Sequence, residues 1–119
     1  MRILVTGHRG YIGSRIYKSL KNLEGIAVGG FTQSPSECPA GLYDSLFTQS
    51  CRAFKPDVII HAGAIRNSCY REPDILFWNT FATNSIIEFC KAARIKLVFL
   101  SSCMAGEPTN FYTCLLYTF

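Results

Sequence analysis

Three glycines at every third position, Gly7, Gly10 and Gly13, follow a short apolar run, Ile3-Leu4-Val5, and constrain this chain more than any other feature. The stretch reads MRILVTGHRGYIGS, and an apolar pattern of helical spacing begins inside it. A strand, a glycine turn and a helix in that order suit the diphosphate of a dinucleotide. The first glycine lets the chain turn sharply, the second lets backbone approach the diphosphate, and the third lets the helix pack closely on the sheet. The helix start then offers unpaired N–H groups and a partial positive charge to the phosphates. Glycines so spaced in an arbitrary loop would mean little, but between a strand and a helix they predict a dinucleotide site.

The rest of the chain alternates between two periodicities. Ile12, Ile16, Leu20 and Leu23 recur at helical spacing with Arg15, Lys18 and Lys21 on the other side, and Gly25 is expected to stop that helix. Ile26 to Phe31 reads as a second strand, which closes a βαβ unit of about 30 residues. Ser34 to Ala40 is loop by its Pro and Ser content, and Gly41-Leu42-Tyr43 is a candidate short strand. Asp44 is placed to cap a helix from Ser45 to Phe54. After Pro56-Asp57 comes Val58-Ile59-Ile60, a β-branched run suited to a parallel strand buried on both faces. It ends in His61-Ala62-Gly63-Ala64, small residues that leave room for a bulky group. Pro73-Asp74 opens a long helix whose apolar stripe is Ile75, Trp78, Ala82, Ile86, Phe89 or Cys90, and Ala93. Lys96 to Leu100 reads as another buried strand, delivering Ser101-Ser102-Cys103 at its carboxyl end.

Strands alternating with helices imply right-handed crossovers and an α/β fold, a doubly wound parallel sheet of Rossmann-like form that is incomplete at its carboxyl end. In the strand order 3-2-1-4-5, the strand ending at Thr6 lies beside the one ending at His61, which lies beside the one ending at Leu100. The glycine turn, the HAGA stretch and Ser101 then open onto one crevice at the strands' carboxyl ends, where such sheets bind ligands.

Length and composition bound the remaining possibilities. A chain of 119 residues with 49% hydrophobic and 17% charged residues is a single globular domain, assigned here to residues 1–112. The net charge of +4 comes from 12 basic residues spread along the chain; it suits an anionic cofactor and gives no reason to expect a nucleic-acid partner. The six cysteines form no CxxC pair and read as small buried residues, so no metal site is expected. No charged-then-apolar leader and no run of membrane-spanning length occurs, so a cytoplasmic protein without a membrane partner is expected.

The end of the second strand bears on which dinucleotide is bound. A carboxylate there would bind the ribose 2′-hydroxyl of NAD and repel a 2′-phosphate. Here the segment is Phe31-Thr32-Gln33-Ser34, with no carboxylate before Glu37, and Arg9 in the glycine turn offers a positive partner. Both features favour NADP, with NAD remaining open.

Four stretches together resemble the amino-terminal part of the extended short-chain dehydrogenase/reductases, the NAD(P)-dependent epimerase/dehydratase family. They are TGHRGYIGS (6–14), KPDVIIHAGA (55–64), WNTFATNSIIEFCKAA (78–93) and LVFLSSCMAG (97–106). The resemblance implies that Gly7, Gly10, Tyr11, Ile12 and Gly13 form the diphosphate loop. It implies that the Leu42 backbone contacts the adenine, although the aspartate usual just before it is Gly41 here. Ala62, Gly63 and Ala64 would pass the nicotinamide-side ribose, with Asn79 supporting the site. Ser101 would be the catalytic serine, in a motif whose usual tyrosine is replaced by Ala105. The family's catalytic tyrosine acts as a general acid/base with its pKa lowered by a lysine four residues on. Tyr112 follows Thr109-Asn110 in a similar setting, but Leu116 stands where that lysine belongs.

The implied function is an NAD(P)-dependent oxidoreductase, epimerase or dehydratase acting on a nucleotide-linked sugar by hydride transfer, with homodimer formation open. Two alternatives remain: a non-catalytic NADP-binding sensor of the same fold, and an inert truncated fragment. Residues 113–119 are read as a non-native tail, because Cys114-Leu115-Leu116-Tyr117-Thr118 resembles a translated sequencing adapter; the parent protein is expected to continue past Tyr112. Other residues have plainer readings. His61 is expected to be a satisfied strand-end histidine, Cys103 a buried thiol, and Asp57 with Lys55 a structural pair at the opposite edge of the sheet. Arg66 is either a phosphate contact or a solvated loop residue.

Overall fold

The apolar run that opens the chain becomes the centre of a parallel sheet. The structure, a computed structural model, describes residues 1–32, 43–64 and 76–100, with Phe77 and Trp78 described by backbone alone. Strand β1 (Arg2–Thr6) buries Ile3, Leu4, Val5 and Thr6. It pairs in parallel with β2 (Ala27–Phe31) on one side and β3 (Val58–His61) on the other, and β3 pairs in parallel with β4 (Lys96–Phe99). The order β2-β1-β3-β4 matches the expected 3-2-1-4-5 arrangement without its third strand, the candidate at 41–43. Thr6 stands opposite both Phe31 and His61, and His61 opposite Phe99, so the four carboxyl ends lie level.

Helix α1 (Tyr11–Lys21) differs from its predicted stripe. Ile16 and Leu20 are half-buried, but Ile12 is 53% and Leu23 52% exposed. The buried residue of α1 is Gly13, which seats the helix on the glycine turn and leaves Ile12 at the rim. Leu23 lies past the last turn, which closes through the Asn22 N–H to the Ser19 carbonyl and the Leu23 N–H to the Leu20 carbonyl; Gly25 comes later still, at φ +78°, in the turn to β2.

Helix α2 (Tyr43–Phe54) starts two residues before the predicted Ser45. Asp44 is therefore inside the first turn, where its charge meets the positive helix end, and is not the cap. Tyr43 belongs to this helix and not to a strand; Gly41 and Leu42 lie outside the described residues. Its buried face is Tyr43, Phe47 and Cys51.

The last helix opens with a π-helical turn, Phe77–Phe81, and continues as α3 (Ala82–Ala93). Ala82, Ile86 and Cys90 are buried as the stripe predicted, and Phe89 packs beside them. Ala93, at the helix end, is exposed, and buried Thr83 adds a hydroxyl that the stripe did not include. Ile75 and the Trp78 side chain lie outside what is described. Strand β4 ends at Phe99 and alternates between exposed and half-buried residues, against the expected burial on both faces. The physical reason is position: among the described strands it lies at the edge of the sheet, with one paired neighbour.

One core holds α2 and α3 against the sheet. It joins Leu4, Phe31 and Ile59 from the strands to Tyr43, Phe47, Cys51, Ala82, Ile86 and Cys90 from the helices. Phe47 sits at its middle, edge-on to Phe31 at 5.4 Å and to Phe89 at 5.5 Å between ring centroids. Ile3 and Val5 alternate to the other face, the side of the first crossover helix. At the far end of the sheet, Asp57 Oδ2 accepts the Arg2 N–H at 2.8 Å, so Asp57 is structural, as expected.

Candidate functional site

The site is built where β1 gives way to α1. Gly7 adopts φ +69°, a conformation that favours glycine, and donates its N–H to the Phe31 carbonyl at 2.8 Å. Gly10 donates to the Gly7 carbonyl at 2.9 Å and becomes the N-cap of α1. Because Gly10 has no side chain, no side-chain oxygen caps this helix, and its first turn holds no acidic residue. The first intrahelical donor is the Ser14 N–H, which bonds the Gly10 carbonyl at 2.9 Å, so the N–H groups of Tyr11, Ile12 and Gly13 point out of the helix start with its partial positive charge. A Cβ on Gly13 would run into the Gly7 carbonyl, which shows how closely helix and turn are packed.

The loop after β3 closes against the same turn. Ala62 donates its N–H to the Thr6 carbonyl at 3.2 Å, and Gly63 donates to Thr6 Oγ1 at 3.3 Å. A Cβ on Gly7 would lie 2.6 Å from Gly63 Cα, so the two loops pass backbone to backbone. Ala62 and Gly63 are half-buried and Ala64 is exposed. Tyr11 is 72% exposed, with the Arg15 guanidinium 4.4 Å above its ring. Gly7, Gly10, Tyr11, Ile12, Gly13, Ala62, Gly63 and Ala64 are thus brought to one end of the sheet, as the sequence predicted. Asn79 is buried on the π-helical turn.

A cavity of about 420 Å³ lies beside the glycine turn, lined by His8, Arg9, Gly30, Phe31 and Thr32 and, from α2, Leu46, Gln49 and Ser50. Arg9 therefore shares a cavity with the end of β2. The His8 ring packs over Gly30, where any Cβ would overlap it, and lies 5.3 Å from the Tyr17 ring. Burial lowers the His8 pKa, with the Arg9 charge adding to the shift and a backbone hydrogen bond to Phe31 opposing it. The α2 contributions were not foreseen. Gln49 and Ser50 sit on the polar side of an amphipathic helix, which looks the same whether it faces solvent or a ligand.

His61 is 4% exposed and bonded through both ring nitrogens, Nδ1 to Thr6 Oγ1 at 2.6 Å and Nε2 to Thr83 Oγ1 at 2.9 Å. Burial pushes its pKa down to about 4, so it is neutral at neutral pH. This is the satisfied histidine that was expected. Thr6 and Thr83, its partners, carry no periodic signal and were missed.

Leu42, Ser101 and Tyr112 lie outside the described residues, as do Arg66 and Cys103. Among the described residues no group of three His, Cys, Asp or Glu side chains could hold a metal ion. Among them, too, no helix is long and apolar enough to cross a membrane.

A parallel sheet wrapped by helices, with a glycine turn and an uncapped helix start at the strands' carboxyl ends, defines a Rossmann-like domain. The chain belongs to the NAD dependent epimerase/dehydratase family, whose model matches residues 3–115. Solved structures share the fold at low identity. A dTDP-4-dehydrorhamnose reductase from Bacillus anthracis in complex with NADP is 20% identical with a TM-score of 0.79, the match covering 98% of this chain and 46% of that one. An ADP-L-glycero-D-manno-heptose-6-epimerase from Helicobacter pylori is 17% identical with a TM-score of 0.80, covering 98% and 48%. A UDP-glucose 4-epimerase from Thermus thermophilus in complex with NAD is 23% identical with a TM-score of 0.77, covering 99% and 48%. The chain thus spans about half the length of the structures it matches. No curated protein matches it.

Proposed function

We propose that this chain is the dinucleotide-binding part of an oxidoreductase, epimerase or dehydratase that acts on a nucleotide-linked sugar, and that its dinucleotide is NADP. The observation that carries the reading is the uncapped start of α1, held against the β3 loop by the Gly7–Gly63 apposition. A diphosphate there accepts hydrogen bonds from the Tyr11, Ile12 and Gly13 amides and meets the positive helix end. The cradle fits the group because a side chain at Gly7 or Gly13 would collide with backbone.

Family membership and the activities of the reductase and the two epimerases above support the sugar class. The bound nicotinamide supplies hydride exchange. By the family resemblance, Ser101 hydrogen-bonds the substrate oxygen that gains or loses a proton, and Tyr112 is the candidate acid/base for that proton. By the same resemblance, Ala62, Gly63 and Ala64 would border the nicotinamide-side ribose, Asn79 would support the site, and the Leu42 backbone would contact the adenine.

Preference for NADP rests on Arg9 sharing a cavity with Thr32 at the end of β2, with no carboxylate among the described residues that line it. Calorimetric titration of NADPH and NADH into the chain tests it. NADPH is expected to bind at least about tenfold more tightly, with the difference lost in Arg9→Gln. A preference for NADH overturns the assignment to NADP.

A further inference from the structure

Strand β2 carries two adjacent glycines, and rings from elsewhere in the chain fill the side-chain positions that both leave open. A Cβ on Gly29 would run into the Phe54 ring, and one on Gly30 would overlap the imidazole of His8, the residue that follows Gly7 in the glycine turn. Tyr17 of α1 also packs against that imidazole, with ring centroids 5.3 Å apart. Packing against backbone and a neighbouring ring thus places His8, and it places it in the wall of the cavity of about 420 Å³ that also holds Arg9, Thr32, Gln49 and Ser50. Among the described residues that line this cavity, those that ionise are His8 and Arg9, and both are bases. Thr32, Gln49 and Ser50 add neutral hydrogen-bond donors. Two neighbouring bases with neutral donors around them suit a phosphate monoester, which carries a charge of about −1.5 to −2 near neutral pH, better than an uncharged ribose hydroxyl.

We propose that His8 is the second cation for the 2′-phosphate of the dinucleotide, and that it takes up a proton as this phosphate enters the cavity beside Arg9. The inference rests on the NADP reading given above and adds to it a residue and a proton. Without the dinucleotide, burial and the Arg9 charge both disfavour the imidazolium, against the pull of the Phe31 carbonyl, and the ring is neutral at neutral pH. Among the described residues, the ionisable groups around it are Arg9 on its own turn and, on α1, Tyr17 with the Lys21 ammonium 5.1 Å from that ring's centroid. β2 presents Gly30 and Phe31, and α2 presents Leu46, Gln49 and Ser50, none of which ionises. A phosphate dianion reverses the balance, because it offsets the Arg9 charge and attracts an imidazolium directly. Phosphate and proton therefore strengthen each other's binding by the same factor. The proton comes from solvent, and no covalent bond of the dinucleotide changes. A dinucleotide with the 2′-phosphate then binds more tightly as pH falls towards neutral, whereas one without it gains nothing from His8.

Calorimetric titration in two buffers of unlike ionisation enthalpy, Tris and HEPES, counts the protons exchanged on binding. At about pH 7.5 the wild-type chain is expected to take up on the order of half a proton per NADPH and less than about a tenth per NADH. In His8→Gln, which keeps a polar side chain against Gly30 and cannot become charged, the uptake with NADPH disappears. NADPH affinity falls about fivefold there, while NADH affinity stays within about twofold. From about pH 8.5 down to about pH 7, the NADPH-to-NADH affinity ratio rises at least about threefold in the wild-type chain and stays level in the variant. The range stops there because a phosphate monoester binds its own second proton near pH 6. A structural role for His8 would lower both affinities alike and leave the two proton counts equal. Thermal unfolding establishes that the variant is folded; should it not fold, the wild-type proton counts decide. Equal counts for NADPH and NADH, or a ratio that does not change with pH, overturn the role of His8 while tighter binding of NADPH still supports NADP. A preference for NADH overturns both.

Discussion

Gly7 and Gly63 face each other asymmetrically across the carboxyl ends of β1 and β3. A Cβ on Gly7 would lie 2.6 Å from Gly63 Cα, whereas one on Gly63 would meet, among the described residues, nothing nearer than Thr6 Oγ1 at 3.4 Å. Gly7 also has φ +69°. Gly7→Ala is therefore expected to cost roughly 2–4 kcal/mol, from backbone strain and overlap together. Gly63→Ala should stay within about 1 kcal/mol of wild type. Urea unfolding of the two variants checks the asymmetry, and equal losses would contradict it.

The buried imidazole predicts an acid-sensitive fold. Burial holds the folded His61 pKa at about 4, below its ordinary value of 6.5, so as pH falls the unfolded chain takes up the proton first. Stability from this group is complete above about pH 6.5 and is lost progressively down to about pH 4, by up to about 3 kcal/mol. His8, whose pKa is also lowered by burial, acts in the same direction. Unfolding free energies at pH 7 and pH 5 should differ accordingly, with a shallower slope in His61→Gln. A flat profile for the wild-type chain would count against the buried neutral ring.

Phe47 is 1% exposed and joins rings from β2, α2 and α3. Phe47→Ala should destabilise the chain by about 3–5 kcal/mol, a large share of what a domain of this size has. The urea midpoint reports it, and a loss below about 1 kcal/mol would mean that the core can collapse around the vacancy.

Cys51 and Cys90 are free and buried, and burial pushes the Cys51 thiol up to about 12 and raises that of Cys90 as well. The nucleophilic species is the thiolate, so both positions should resist iodoacetamide in the native chain and react only on unfolding. Peptide mapping by mass spectrometry reads each position separately, and rapid native labelling at either would contradict the burial.

How much of this was legible in the residue order varies with the range of the interaction. The roles of Gly7, Gly10 and Gly13 could be read because a turn, a close approach and a helix start are local properties. The order β2-β1-β3-β4 could be read because crossover handedness leaves few choices. Ile12 and Leu23 were placed in a buried stripe because periodicity gives the face of a helix but not where the sheet beneath it ends. The π-helical turn at Phe77–Phe81 has no periodic signature of its own. Thr83 was invisible because its partner, His61, lies 22 residues earlier on another element. Leu46, Gln49 and Ser50 became part of a site only once α2 was set beside the glycine turn.

The central claim is that the start of α1 holds a dinucleotide's diphosphate, and Gly10→Ala tests it most directly. Gly10 has φ −78°, which alanine can adopt, and among the described residues a Cβ there would meet only the Gly7 carbonyl, at 3.3 Å. The variant should therefore fold with a loss of no more than about 1 kcal/mol, while its methyl group stands where the diphosphate must come closest. Calorimetric titration of NADPH should show at least about a tenfold loss of affinity in the folded variant. Wild-type affinity in Gly10→Ala would contradict the account.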